Sequence, residues 1–121
     1  MSGLTPSGPT PFVTELGMGT DIRGADWTKA ATRAVEDALR RNALTIADAF
    51  GFPREAMRVR ISLGVGSPEA VDRAAIAALL PYGEAEVVVE RGGLAIPDNA
   101  GTGQVILANA ALTVSFDLAH R

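Results

Sequence analysis

The sequence predicts an α+β protein, a two-layer sandwich of about four mostly antiparallel strands with two helices on one face. Apolar and polar residues alternate over residues 57–65 and again, at unusual length, over residues 104–118. Small apolar residues recur at helical spacing over residues 27–39 and again over residues 71–79. With two further extended segments, the predicted order is β-α-β-α-β-β.

The first strand is predicted over residues 12–18. It follows a leader, residues 1–11, that contains three prolines and that we expect to be extended or disordered. Residues 12–121 are predicted to form one domain, because a chain of 121 residues can bury a single core without disulfides or metal.

Residues 17–24, with the sequence GMGTDIRG, connect this strand to the first helix. Glycine tolerates positive φ and close approach of a ligand, and a helix N-terminus offers unpaired N–H groups. The spacing fits neither a dinucleotide fingerprint nor a P-loop, which requires Gly-Lys-Ser/Thr. Two interpretations stay open: this segment lines a binding site, or its glycines only shape a tight turn.

The first helix is predicted to begin after Asp26, whose carboxylate can cap the free N–H groups. A short helical stretch is predicted over residues 45–51. The second helix is predicted to have Ser67 as its N-cap and Pro68 at its first position, and to end before the Pro-Tyr-Gly segment at residues 81–83.

The strand at residues 57–65 places apolar side chains on its core face and Arg58, Arg60 and Ser62 on the other face. These polar side chains either line a cleft between subunits or form an ordinary solvated surface.

A third strand is predicted over residues 84–91 and a hairpin turn at Gly92 and Gly93. Residues 94–97 are predicted to be extended. The final strand, residues 104–118, is long enough to cross a whole sheet or to reach a neighbouring subunit.

Composition excludes several classes of function. A net charge of -3 argues against non-specific nucleic-acid binding, and 5% aromatic residues argue against base-stacking surfaces. The chain has no cysteine, and its one histidine, His120, is next to the C-terminus, so we expect no metal site, no cofactor and no Ser-His-Asp triad. No apolar run is long enough to span a membrane, and we expect a cytoplasmic protein.

Asp21 could act as a base, and Lys29, the single lysine, could be tuned for the same role. Arg23 could clamp a carboxylate or ureide oxygen. The alternatives are a turn-stabilising Asp21 and solvated basic side chains. The candidate catalytic residues are thus Asp21 and Lys29, and the candidate ligand-binding residues are Gly17, Gly19, Arg23, Gly24, Arg60 and Ser62.

The GMGTDIRG segment resembles the G-x-G-x-D-x-H-G signature of a family of bacterial and plant conserved hypothetical proteins, with Arg23 in place of the histidine. Arginine stays charged, so binding rather than proton transfer is expected at that position. The resemblance continues through most of the chain after residue 12, at residues 26–31, 33–35, 80–83, 92–94 and 109–111.

A second resemblance is to one repeat of the ring-opening amidohydrolases, cyanuric acid hydrolase and barbiturase. It lies in Asp26-Trp27-Thr28-Lys29 after the glycine-rich segment and in the strand and turn at residues 61–67. Those enzymes arrange three such units around a pseudo-threefold axis with Lys and Ser at the centre. The resemblance implies that the protein is a homotrimer with sites between subunits. If the protein is an enzyme, the resemblance implies that it hydrolyses a cyclic amide or ureide.

The sequence therefore predicts a homo-oligomer, with a trimer favoured, that binds a small polar or anionic molecule between subunits. The alternative is a non-enzymatic ligand-binding or structural oligomer. No nucleic-acid or membrane partner is expected.

Overall fold

The computed structural model describes residues 8–101 and 103–118. The strands are β1 (Thr10–Asp21), β2 (Arg58–Val65), β3 (Glu84–Arg91), β4 (Leu94–Pro97) and β5 (Gln104–Phe116). The helices are α1 (Trp27–Leu39), α2 (Ile46–Ala49) and α3 (Arg73–Ala77), and short 3-10 turns cover Ala43–Thr45, Arg54–Ala56 and Pro68–Ala70. The predicted α+β fold is confirmed. The two elements beyond the predicted β-α-β-α-β-β order are α2 and β4, which lie where a short helical stretch and an extended segment were predicted.

The sheet has the order β1-β5-β2-β3, and β4 pairs with β5 beyond the end of β2. Among the described strands, β2 and β3 alone pair in parallel, whereas β5 is antiparallel to all three of its neighbours. The long final strand thus crosses the sheet, which is one of the two outcomes that its length predicts. The α1 helix packs along β1 and β5 on one face of the sheet.

The first strand is longer than predicted, and it includes most of the glycine-rich segment. Gly17 and Gly19 lie within β1 and are buried beneath α1. A Cβ atom at Gly17 would collide with the carbonyl oxygen of Ala34, and one at Gly19 would collide with that of Ala30. Of the three glycines, only Gly24 has a positive φ, of 77°. Two of the three are therefore explained by close packing of backbone on backbone, and residues 22–26 alone form the connection.

The predicted second helix is divided into two pieces, the 3-10 turn Pro68–Ala70 and the α3 helix. After the 3-10 turn, Val71 is extended and inserts into the core with 8% exposure. The α3 helix begins only after Asp72, whose carboxylate accepts a hydrogen bond from the backbone N–H of Ala75 at 3.1 Å. The backbone N–H of Asp72 in turn donates to the Thr28 hydroxyl at 2.9 Å, which ties this turn to the start of α1.

The predicted hairpin at Gly92 and Gly93 is wrong. β3 pairs with β2, whereas β4 pairs with β5, so the two glycines move the chain sideways into line with β2. The N–H of Gly92 donates to the carbonyl oxygen of Val65 at 2.8 Å. Gly93 has a φ of 68°, and a Cβ atom there would collide with the carbonyl oxygen of Leu107. This step requires glycine for its conformation and for its closeness to β5.

The core lies between the sheet and α1. It contains the alanine-rich face of α1, alternate residues of β2 and β5, and, near one end, a cluster of aromatic rings. The buried residues of α1 are Trp27, Ala30, Ala31, Ala34, Val35 and Ala38. Small side chains on this helix and glycines on β1 let the two elements approach closely.

Candidate functional site

The face of the sheet opposite α1 is covered by no described helix, and we call it the open face. It carries the side chains that alternate with the core residues of each strand. They are Thr14, Leu16, Met18 and Thr20 on β1, Arg58, Arg60 and Ser62 on β2, Glu84, Glu86, Val88 and Glu90 on β3, and Val105, Leu107, Asn109, Ala111, Thr113 and Ser115 on β5. Leu94 and Ile96 extend this face along β4.

One half of the open face is charged. Two arginines of β2 form salt bridges with two glutamates of β3, Arg58 with Glu84 at 2.9 Å and Arg60 with Glu86 at 3.5 Å. These side chains line a shallow cleft of about 720 Å³ together with Pro9, Pro11, Thr113 and Ser115. Arg60, a predicted ligand-binding residue, thus has an acidic partner within its own chain.

The other half is mostly apolar and contains a second cleft of about 510 Å³, which we call the groove. Leu16 is 65% exposed and Met18 is 61% exposed, so two large apolar side chains face solvent side by side on β1. Leu94 and Ile96, 62% and 54% exposed, extend the apolar surface beyond it. The groove is lined by Leu16, Gly17, Met18, Asp37, Arg41, Ser62, Leu63, Gly64, Glu90, Arg91, Asn109, Ala110 and Ala111.

The outer edge of β1, which borders the groove, is satisfied by charged side chains of α1. The N–H of Met18 donates to the Asp37 carboxylate at 3.0 Å. Arg41 donates to the carbonyl oxygen of Leu16 at 2.7 Å, and Arg33 donates to that of Thr20 at 2.6 Å. Side chains that bond these backbone groups prevent another strand from pairing with this edge.

The connection from β1 to α1 is organised by Asp21, whose side chain is buried. Its carboxylate accepts hydrogen bonds from the backbone N–H of Asp26 at 2.9 Å and of Arg23 at 3.4 Å, and Arg33 lies 4.0 Å away. The bond from Asp26 is the main reason that the pKa of Asp21 lies below its ordinary value; burial opposes the shift, and Lys29 and Arg33 reinforce it. Asp21 is therefore a fixed anion with structural contacts, and a base of lowered pKa is a weak proton acceptor near neutrality.

The other predicted residues of this connection lie on the surface. Arg23, Gly24 and Lys29 are exposed, and none of them lines the groove or the charged cleft. The backbone N–H of Lys29 donates to the Asp26 carboxylate at 3.1 Å, so Asp26 caps α1 as predicted. A binding or catalytic role for Asp21, Arg23, Gly24 and Lys29 stays a prediction.

Of the predicted ligand-binding residues, the structure brings Gly17 and Ser62 together in the groove. Met18, Glu90 and Asn109 line the groove as well, but they were not among the predicted site residues. Leu16 and Met18 follow Phe12 at even spacing in the sequence, yet Phe12 packs against the core and the other two side chains face solvent. A register shift in β1 between Pro11 and Val13 separates Phe12 from the regular alternation that follows.

Two kinds of site have no counterpart in the part of the chain that is described. No group of three or more acidic or histidine side chains is arranged to hold a metal ion. No helix there combines the length and apolar character needed to cross a bilayer. His120 lies outside the described residues.

Comparisons with known proteins agree with the fold. Residues 11–114 match a family described as conserved hypothetical protein (Lin0512_fam). The chain is also similar to the crystal structure of an FtsZ-like protein of unknown function from Nostoc punctiforme PCC 73102. That protein has 30% sequence identity to this chain, with a TM-score of 0.80 over 90% of this chain and 97% of the other. No curated protein matches this sequence.

Proposed function

The chain belongs to the conserved hypothetical protein family Lin0512_fam, and we propose that it is a homo-oligomer that binds a small polar molecule in the groove, at a seam between protomers. A trimer is the favoured assembly because of the resemblance to the three-unit ring-opening amidohydrolases. The observation that carries the proposal is the exposed apolar surface beside the groove.

Large apolar side chains are normally withdrawn from water, and a contiguous group of them on a sheet face marks an interaction surface. Leu16, Met18, Leu94 and Ile96 are all more than half exposed and all belong to the open face. Burying them against a neighbouring protomer would stabilise the assembly by roughly 25 cal/mol per Å² of apolar area removed from water. A neighbour at this position would also close the groove on its open side, as a ligand site requires.

The assembly is tested by light scattering coupled to size-exclusion chromatography. The wild type is expected at a multiple of 12.5 kDa, three times for a trimer, and the double variant Leu94→Lys, Ile96→Lys at the monomer mass. The matched control is Leu118→Lys, because Leu118 is 50% exposed but follows β5 at its far end. A wild-type monomer would contradict the proposal, as would a double variant of unchanged mass.

A more specific version of this proposal is that the protein hydrolyses a cyclic amide or ureide. Lys29 follows the N-cap of α1 on one side of the sheet, whereas Ser62 lies on the open face on the other side. A centre that used both would need residues from two protomers. Incubation of the purified oligomer with barbiturate or cyanurate, followed by loss of ring absorbance, tests this activity; an activity unchanged by Lys29→Ala and by Ser62→Ala would contradict these assignments.

A structural oligomer without a ligand is the second candidate, and one observation favours it. The close packing of α1 explains Gly17 and Gly19 without any ligand. Ligand binding to the groove, measured as described below, distinguishes the two candidates, because a purely structural oligomer would lose its assembly in the Leu94→Lys, Ile96→Lys variant but bind no small molecule.

A further inference from the structure

The open face repeats one charge arrangement along β2 and β3, which run parallel and in register. Arginines of β2 lie opposite glutamates of β3 at two successive positions on this face, Arg58 opposite Glu84 and Arg60 opposite Glu86. Four residues further along β3, Glu90 lies opposite Gly64. The last glutamate of this row therefore faces a residue without a side chain, where the earlier two each face an arginine.

Glu90 has no arginine opposite it, and no other basic side chain within residues 8–101 and 103–118 pairs with it instead. Glu90 is exposed and forms no salt bridge there. The two arginines that line the groove are engaged elsewhere: Arg91 donates to the carbonyl oxygen of Gly66 at 3.4 Å, and Arg41 donates to the backbone of β1 and α1. The carboxylate of Glu90 is thus left to interact with solvent or with a ligand.

The space above Gly64 is bounded on its other side by Asn109, which lies opposite Gly64 on β5. Because neighbouring strands are about 4.8 Å apart, Glu90 and Asn109 flank a gap of roughly 10 Å, which we call the notch. A Cβ atom at Gly64 would make only ordinary contacts, 3.6 Å from the Cα of Gly92 and 3.8 Å from the Cβ of Asn109. Close packing does not require glycine at this position, in contrast to the two glycines of β1.

We infer that the notch binds the charged head of a small organic cation, a primary ammonium or a guanidinium group. Glu90 accepts charge-assisted hydrogen bonds from its N–H groups, and the side-chain oxygen of Asn109 accepts another. The apolar part of the ligand lies along Leu16, Met18 and Ala111, which line the same groove. The inference rests on the proposed function, since it assigns a ligand class to that groove, and it replaces the expected anion by a cation.

The test is a titration of ¹⁵N-labelled protein, followed by amide chemical shifts, with n-butylguanidinium and with its uncharged analogue n-butylurea. The cation is expected to produce saturable shifts at Gly64, Glu90 and Asn109. It is expected to bind about fivefold more tightly than the urea, because only the cation forms an ion pair with the exposed Glu90 carboxylate. Glu90→Gln is expected to remove this preference.

Glu86→Gln is the matched control, because Glu86 is on the same strand face but already has Arg60 as its partner. Its affinity for butylguanidinium is expected to stay within about twofold of the wild type, since an exposed charge two rows away is screened by solvent. Gly64→Arg places an arginine of the same chain opposite Glu90 and is expected to abolish binding of the cation. A normal amide spectrum confirms that each variant is folded.

Three results would overturn the inference. Equal binding of the urea and the cation would show that the groove binds ligands without selecting positive charge, so the proposed function would survive alone. Absence of binding by either probe, with assembly intact, would remove the ligand site and leave the structural oligomer. A change of mass in Glu90→Gln, with no binding of the probe to wild type, would indicate that an arginine of a neighbouring protomer occupies the notch.

Discussion

The face of the sheet that α1 packs against, which we call the covered face, contains glycine for a different reason from the open face. On the covered face, Gly17 and Gly19 allow α1 to pack backbone against backbone, and any Cβ atom would collide with the helix. On the open face, Gly64 has room for a Cβ atom, and its missing side chain leaves a polar notch. The same residue type in a strand thus serves packing in one place and leaves surface space in the other.

A large effect is expected where this contrast is tested directly. Gly19→Ala should destabilise the fold by about 3 kcal/mol, because an overpacked backbone contact must be relieved by moving α1. Gly64→Ala should change the free energy of unfolding by less than about 0.5 kcal/mol, as is usual for surface positions. Urea unfolding followed by circular dichroism measures both; equal losses would contradict the contrast.

The sequence predicts β3 and β4 to the residue and β2 to within one residue, because their alternation and their turn residues are local signals. The glycines of β1 could not be assigned in this way, since a strand glycine beneath a helix and a loop glycine look alike in sequence. The sequence did contain a signal for close packing of α1 on β1, because Ala30, Ala34 and Ala38 are spaced by four along the helix. The path at Gly92 depends on which strands pair, and pairing between distant segments leaves little local trace.

The candidate site was less predictable than the fold for the same reason. Asn109 and Glu90 are far apart in sequence, and only the pairing of β5 and β3 with β2 places both beside Gly64. The predicted residues near the start of α1 were chosen as sequence neighbours, and they lie away from the groove.

A second comparison uses neighbouring residues of β2 that point to opposite faces. Ile61 has no exposed surface, whereas Ser62 is half-buried on the open face. Ile61→Ala is expected to cost about 2–5 kcal/mol, through lost burial and the cavity that remains. Ser62→Ala should cost less than about 0.5 kcal/mol. Unfolding midpoints in urea at constant m-value give both numbers, and a large loss at Ser62 would indicate an unrecognised structural role.

The two faces should also differ in their dependence on pH. The pKa of Asp21, which lies beneath α1, is lowered chiefly by the hydrogen bond from Asp26. Its folded pKa is below its unfolded pKa, so its contribution to stability is present above about pH 4 and is lost as the pH falls through the folded value. Asp21→Asn should therefore flatten the fall in melting temperature between about pH 5 and pH 2.

Glu84→Gln, on the open face, is the control for that pH profile. Glu84 is exposed and pairs with Arg58 in solvent, where such pairs contribute little. Its variant should keep the wild-type slope of melting temperature against pH. If Glu84→Gln flattened the profile and Asp21→Asn did not, the charged pairs of the open face, rather than the buried carboxylate, would control acid stability.

The smallest effect on stability is expected from Arg60→Ala, which removes one of the exposed charge pairs. Arg60 and Glu86 are 60% and 65% exposed, so the loss should be below about 0.5 kcal/mol. The variant nevertheless leaves Glu86 facing a small side chain, with Thr113 on the opposite strand in the place that Asn109 has beside Gly64. A second set of saturable shifts around Glu86 on titration with butylguanidinium would show that an unpaired glutamate of β3 beside a small residue of β2 suffices to bind the cation. Shifts confined to Glu90 would instead assign part of the recognition to the Asn109 amide.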